Sequence, residues 1–158
     1  MITMIACLDS ENGIGKGNGL LTHLPKDLEH FKKTTVGKVC VFGRTTYDSL
    51  PVKPLPQRAN IVLTTDKNML NHGCIVMRSI EEILELAEDY HIYICGGQTI
   101  YEQFMPYADE LIISQMEEAF NADTFFPYIE EDEWIPYSCE GVEDKLNFEI
   151  IKYKRKEN

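Results

Sequence analysis

The sequence predicts an α/β fold: a mostly parallel central sheet of about eight strands with an antiparallel C-terminal strand and flanking helices. Three observations predict it. Short apolar runs, many rich in β-branched residues, alternate with helical patterns from residue 1 to about residue 116, the order that builds parallel strands joined by crossover helices. Beyond that point strand-like sequence continues without a clear helix, so the sheet must finish antiparallel. No repeat, low-complexity tract or linker divides the 158 residues. They fit one domain, residues 1–158, able to bury on the order of 70% of its unfolded surface.

Taken in order, Ile2–Leu8 is a first strand whose one polar residue is Thr3. Asn12–Gly19 follows, with glycine at four alternate positions. It is not a G-x-G-x-x-G loop, because Asn18 and Leu20 stand where the third glycine would be. Such spacing suits a mobile segment that folds over a ligand, and the plain alternative is a flexible surface loop. Pro25–Thr34 is helical, Lys38–Gly43 is a strand and Thr45–Leu50 a second helix. The run Pro51–Pro56, with three prolines, is a stiffened loop. Asn60–Thr65 and Cys74–Arg78 are strands, and Ser79–Asp89 is a helix opened by a capping-box pair, Ser79 and Glu82. His91–Cys95 is a strand, Thr99–Tyr107 a helix, and Glu110–Met116 and Phe148–Lys154 are strands. The acidic stretch Glu130–Glu133 reads as a solvated turn.

Composition narrows the function classes. With 26 acidic against 15 basic side chains the formal charge is −11, which repels nucleic acid and anionic membrane. An anionic small ligand would need a local cluster of base. The 5 cysteines, Cys7, Cys40, Cys74, Cys95 and Cys139, are odd in number and lack C-x-x-C spacing. They are expected to be buried free thiols, not disulfides or metal ligands, in a reducing compartment. There is no basic n-region before the first strand and no run of apolar residues long enough to span a bilayer. The expectation is a cytoplasmic protein.

One acid stands out. At about 100° per residue, Leu24, Asp27, Leu28 and Phe31 share one arc of the first helix, while Lys26, Glu29, His30, Lys32 and Lys33 cover the rest. A carboxylate on an apolar face is either satisfied by partners as a structural acid or used on a ligand. Two further places suit phosphate, since in each an apolar strand ends in glycine and a helix begins at once: Val39–Thr46 and Ile92–Tyr101. The first adds a guanidinium at Arg44, and the second has paired glycines that let a ligand approach the backbone. Glycine also ends strands for structural reasons, but two such junctions at strand C-terminal ends of one sheet outline a dinucleotide cleft.

At this point Leu24–Lys32, Gly43–Leu50, Pro54–Asn60, Gly96–Tyr101 and Ala122–Pro127 together resemble the ordered motifs of the dihydrofolate reductase family, and the resemblance runs from Met1 to the final strand. It implies NADPH-dependent reduction of 7,8-dihydrofolate to tetrahydrofolate in one-carbon metabolism, by a monomer that also binds antifolate-like molecules and needs no metal. Asp27 would pair with the pterin, and Ser114, where the family commonly has threonine, would hydrogen-bond that acid. Ile5, Leu28, Phe31, Leu50, Leu55 and Cys95 would line the pterin and benzoyl site, with Ser49 and Tyr101 on the same side. Arg58 would bind the α-carboxylate of the glutamate tail with help from Lys53. For the cofactor, Arg44 and Thr65 match positions that contact the 2′-phosphate, with Arg78 near the adenosine end. Thr46, Gly97, Gln98, Thr99 and Ile100 would hold the pyrophosphate, and Gly43, Thr45, Leu63, Thr64, Cys95 and Gly96 belong to the same side. Ala6, Ile14 and Tyr101 would border the nicotinamide, with Gly15 to Leu20 as a lid.

The chain also departs from the family pattern. Leu21 and Thr22 stand where a Pro-Trp pair is usual, so proton delivery near Asp27 must do without that indole and Thr22 takes its place. Thr45 and Thr99 occupy positions where other members carry basic groups, which leaves more of the phosphate recognition to Arg44. Two rival readings are a pyrimidine reductase of riboflavin synthesis on the same scaffold and a non-catalytic nucleotide-binding module. The Asp27 helix together with Arg58 argues against the first, and consumption of NADPH on adding dihydrofolate separates the second.

Overall fold

The computed structural model describes residues 1–66, 69 and 73–157, so the last residue of the expected domain lies outside the described residues. Ten strands and four helices follow one another as β1 (Ile2–Leu8), β2 (Gly13–Gly15), α1 (Pro25–Thr35), β3 (Val39–Gly43), α2 (Arg44–Ser49), β4 (Ala59–Leu63), β5 (Ile75–Met77), α3 (Ile80–Leu86), β6 (Ile92–Ile94), α4 (Gln98–Phe104), β7 (Glu110–Met116), β8 (Thr124–Phe125), β9 (Trp134–Val142) and β10 (Phe148–Arg155). Eight strands form one sheet in the order β5-β4-β3-β6-β1-β7-β10-β9. Pairings are parallel from β5 through β7, and β10 is antiparallel to both of its neighbours. The expected antiparallel C-terminal strand is therefore β10.

Period-two alternation carries apolar residues to both faces, as a sheet covered by helices on each side requires. Met4 and Leu8 of β1, Val41 of β3, Ile61 of β4, Ile94 of β6 and Ile113 of β7 bury on one face with Ile83 of α3 and Ile100 and Phe104 of α4. Ile5, Tyr93 and Ile112 bury on the opposite face with Leu24 and Phe31. Cys40, Phe42 and Val62 continue that face toward Tyr47 of α2. Cys95 packs against both of these last two clusters and marks their seam.

The helix ends differ modestly from the pattern. The fourth helix stops at Phe104 and gives way to a 3₁₀ turn, Met105–Tyr107, because Pro106 has no amide proton to continue the ladder. The third ends at Leu86, short of the expected Asp89. Its Ser79 hydroxyl accepts from the Glu82 amide at 3.4 Å, but the Glu82 carboxylate reaches the Arg78 amide in place of its usual partner. The strand β9 had no clear signal, since seven of its nine positions are exposed and Pro136 and a bulge opposite Lys152–Tyr153 interrupt the pairing pattern. These features suit an edge strand, where proline and irregularity block further pairing. One cysteine corrects the expectation of burial: Cys139 lies on β9 with its thiol donating to Glu149 at 2.7 Å and is exposed. No helix among the described residues is long and apolar enough to cross a membrane.

At the N-terminal end of the sheet a hydrogen-bonded chain joins β1, β7 and β9 with His91, the residue before β6. Thr3 Oγ1 donates to Glu110 (3.1 Å), so its oxygen is left to accept from His91 Nε2 at 2.7 Å, and the Tyr137 hydroxyl donates to the other Glu110 oxygen. Burial first, then the positive charge of Lys38 and the N-terminus, holds His91 below its ordinary value of 6.5. The unfolded chain therefore takes up this proton at higher pH than the folded one. Stability from His91 is complete above pH 6.5 and declines as pH falls through that value toward the folded one. The thermal midpoint should drop between about pH 7 and pH 5.5, and His91→Gln should flatten that part of the curve. Identical slopes in wild type and variant would show that His91 does not contribute.

Candidate active site

All six parallel strands point their C-terminal ends at the same edge, and the loops that leave them carry the predicted residues. Helix α1 opens with Pro25, whose fixed φ suits a first turn. Its N-cap, Leu24, has no capping side chain, and Asp144 from the β9–β10 turn accepts from the Lys26 amide at 2.9 Å instead. That bond pulls the Asp144 carboxyl below its usual range. So held, α1 turns half-buried Asp27 toward the sheet, where the Ser114 hydroxyl donates to its Oδ1 at 2.5 Å. Ser114 lies beside Cys7 in the β1–β7 register, so both point at the same carboxylate. Burial, then the charge of Asp27, pushes the Cys7 thiol well up, so it stays protonated and a poor nucleophile.

Above Asp27 a cleft of about 340 Å³, its open mouth included, is lined by Cys7, Ile14, Leu20, Leu21, Thr22, Leu24, Asp27, Leu28 and Met116. Leu20 and Leu28 remain 65% and 42% exposed at its rim. The arc read from sequence is thus a cleft wall, not a fully packed face. Cys7, Leu21, Leu24 and Met116 were not among the predicted site residues. For Cys7 the signal was available, since it lies between Ala6 and the strand end.

The glycine-rich segment is tied down. β2 pairs with β8, Lys16 bridges to Gly19, and the Gly17 amide donates to Asp123 at 2.9 Å. Buried Asp9 accepts from the amides of Glu11, Gly13 and Phe120, fastening the root of the segment to the loop after β7. Gln98 Oε1 accepts from the Phe125 amide at 2.8 Å and its Nε2 donates to Glu102 at 2.9 Å, joining this small sheet to α4. The lid of Gly15 to Leu20 therefore hangs from side chains at Asp9, Asp123 and Gln98, of which sequence reading named only Gln98 as a site residue.

One turn along α1 from Asp27, Phe31 lies under the Arg58 guanidinium, 5.9 Å from ring centre to carbon. Arg58 Nε donates to the Pro56 carbonyl (2.9 Å) and Nη1 to Thr35 Oγ1 (3.2 Å), which orients the fork. Leu50 and Leu55 pack beside Cys95 on the same face. Two predicted residues have tasks elsewhere: Lys53 donates to the Asp48 carbonyl at 2.5 Å and Ser49 to the Thr46 carbonyl at 2.7 Å, both closing the end of α2.

On the other side of the seam the two glycine junctions meet. The Gly43 amide donates to the Gly96 carbonyl at 2.8 Å. A Cβ on Gly97 would stand 3.0 Å from Thr46 Oγ1, and one on Gly43 would stand 3.0 Å from Ile100. Gly96 has φ +111°, a conformation that side chains rarely adopt, and its peptide bond to Gly97 is cis. Thr45 and Thr46 lie in the first turn of α2, and Gln98 and Thr99 in the first turn of α4, beside these glycines. Buried Tyr101 donates to the Ile5 carbonyl at 2.6 Å, leaving that oxygen a second lone pair, and Ala6 and Ile14 are half-buried on the same face. Leu63 is buried at the end of β4, Thr65 is exposed, and the Thr64 hydroxyl accepts from the Asp66 amide at 3.1 Å. Arg78 Nη1 donates to the Thr64 carbonyl at 3.1 Å. Arg44 pairs with Asp48 at 3.4 Å and more closely with Asp66.

Among the described residues no group of His, Cys, Asp or Glu is gathered to hold a metal ion. Residues 1–155 match the family model described as dihydrofolate reductase. The chain is 36% identical to the dihydrofolate reductase of Bacillus subtilis over 161 residues, 99% of this chain and 95% of that one. It is 41% identical to the Staphylococcus aureus dihydrofolate reductase over 147 residues, 92% and 91% of the two chains. A solved dihydrofolate reductase of Enterococcus faecalis, complexed with NADP(H) and RAB-propyl, superposes with a TM-score of 0.94 at 33% identity, covering 99% of this chain and 97% of that one. With a family match over nearly its whole length, such relatives and the same fold, the chain belongs to the dihydrofolate reductase family.

Proposed function

We propose that this chain reduces 7,8-dihydrofolate to 5,6,7,8-tetrahydrofolate with NADPH, as a cytoplasmic monomer of one domain over residues 1–158. The observation that carries the reading is the Asp27 carboxylate, held at 2.5 Å by Ser114 in an apolar cleft that opens beside the glycine cradle. NADPH, when bound, supplies a hydride from nicotinamide C4 to pterin C6. Gly43, Thr46, Gly97 and Gln98 would hold its diphosphate, Arg44 its 2′-phosphate, and Tyr101 one edge of its ring pocket. The residues themselves mainly bring two flat rings face to face and keep water out, which is where most of the acceleration in such a transfer arises.

Asp27 accepts from the pterin amino group and ring nitrogen through its two oxygens while Ser114 keeps a hydrogen bond to Oδ1, so the acid is oriented before substrate arrives. In that position the carboxylate polarises the pterin and favours a proton reaching N5 from water. Leu28, Phe31, Leu50 and Leu55 enclose the apolar middle of the substrate, and Arg58 meets the tail carboxylate with a fork whose plane is already set. The same cleft accommodates antifolate-like molecules, since a flat cationic ring would find the same carboxylate.

Asp27→Asn keeps the shape and removes the charge. Single-turnover hydride transfer from the ternary complex should fall by roughly 10²-fold near neutral pH, with the defect shrinking as acid supplies protonated substrate from solution. A mutant hydride rate equal to wild type across neutral pH would make Asp27 a structural acid. Arg58→Leu should weaken dihydrofolate binding by about 1.5 to 3 kcal/mol while leaving NADPH affinity in place. Titration with a pterin that lacks the glutamate tail is the control, and equal weakening of that ligand would reject the assignment.

A further inference from the structure

The turn after β4 aims a carboxylate at the guanidinium expected to meet the cofactor's 2′-phosphate. Arg78 Nη1 donates to the carbonyls of Thr64 (3.1 Å) and Asp66 (2.5 Å), the Asp66 amide donates to Thr64 Oγ1 (3.1 Å), and the Thr64 amide donates to the Met77 carbonyl (3.0 Å). These bonds fix the backbone of residues 64–66. Asp66 is thereby presented to Arg44, whose Nη1 donates to its carboxylate, while Arg44 Nε reaches Asp48 at the longer distance of 3.4 Å. The Arg44 and Asp66 side chains are 36% and 41% exposed, so a ligand can reach both.

Two carboxylates, Asp48 and Asp66, therefore lie on the one Arg44 guanidinium, while the Arg78 guanidinium is spent on backbone carbonyls. A phosphate monoester of about −1.5 to −2 charge must therefore share Arg44 with an acid already on it. A ribose 2′-hydroxyl meets something different, an acceptor at the end of a strand, the kind of group that serves NAD in other α/β folds, whereas arginine serves the phosphorylated form. This chain holds both at one spot.

We propose that Asp66 is a specificity-determining residue that occupies Arg44 in place of the 2′-phosphate and narrows the preference for NADPH over NADH. The proposal rests on the reading of Arg44 as the 2′-phosphate partner. Dissociation constants of NADPH, NADH and 2′-AMP, measured by calorimetry on wild type, Asp66→Asn, Asp66→Ser, Asp48→Asn and Arg44→Leu, test it. Both Asp66 variants should tighten NADPH and 2′-AMP by about three- to fivefold, the scale of one exposed ion pair, with NADH unchanged or weaker. Asp48→Asn should move the NADPH-to-NADH ratio less, and Arg44→Leu should weaken NADPH much more than NADH. Taking the ratio on each variant cancels any general loss of folded protein. An unchanged or lowered preference in both Asp66 variants, with the Arg44→Leu loss intact, overturns the role of Asp66 and leaves the cofactor reading standing. Equal weakening of the two cofactors by Arg44→Leu removes that reading of Arg44 and the proposal with it.

Discussion

The Ser114 hydroxyl and the Asp27 carboxylate meet at 2.5 Å only because three separate placements coincide. The β1–β7 register sets Ser114 beside Cys7, so that both side chains rise from the same face of the sheet. Leu24 and Phe31 seat α1 on that face, which fixes the rotation of the helix and hence the direction of Asp27 one turn in. Asp144 reaches across from the last hairpin to satisfy an amide at the start of α1, which fixes its position along the axis. A one-residue slip in the strand pairing would turn Ser114 to the opposite face and leave the acid half-buried against apolar neighbours. The polar contact is therefore a product of packing far from it, and the carboxylate is held only where the whole sheet is in register.

The cofactor side depends on the same sheet in a different way. Here the requirement is removed volume, and it is met where β3 ends in Gly43, Gly96 and Gly97 follow the neighbouring β6, and the Gly43 amide bonds the Gly96 carbonyl. A side chain at Gly43 or Gly97 would crowd Ile100 or Thr46 and fill the space. Cys95, which directly precedes Gly96, packs in the seam between the two clusters of the face that carries α1. The formal charge of −11 leaves anion binding to local groups, and Arg44, Arg58 and Arg78 are each held by neighbouring carbonyls, hydroxyls or carboxylates instead of projecting freely.

Much of this was legible from the residues, and the pattern of what was not has physical causes. Strands buried on both faces announce themselves as unbroken apolar runs, which is why β1, β3, β4 and β7 coincide closely with their sequence signals. An exposed edge strand such as β9 has no such run, and its proline and bulge look like loop chemistry. Asp27 was readable because a lone acid breaks the periodicity of an apolar arc. Asp9, Asp123 and Asp144 were not, because each ties its loop to an element distant in sequence by accepting from a backbone amide there, and an acid in a loop carries no local sign of that. Lys53 and Ser49 have a local task that their residue type did not announce: each donates to an α2 carbonyl that needs a donor.

The substitution of Leu21-Thr22 for the usual Pro-Trp shifts the support of the carboxylate from the lid to the sheet. The side chains set against Asp27 from the strands are Ser114 of β7 and Cys7 of β1, both on central strands and both donors, since the Cys7 thiol keeps its proton. Thr22, Leu20 and Leu21 complete the cleft from the other side and contribute mostly shape. The lid is in turn anchored through backbone amides to Asp9 and Asp123 rather than through a large side chain packed on the acid. None of these bonds to the glycine-rich segment involves Asp27, so its orientation is set by the sheet. The groups that orient the carboxylate are therefore carried by the most constrained part of the fold, two central strands paired along most of their length.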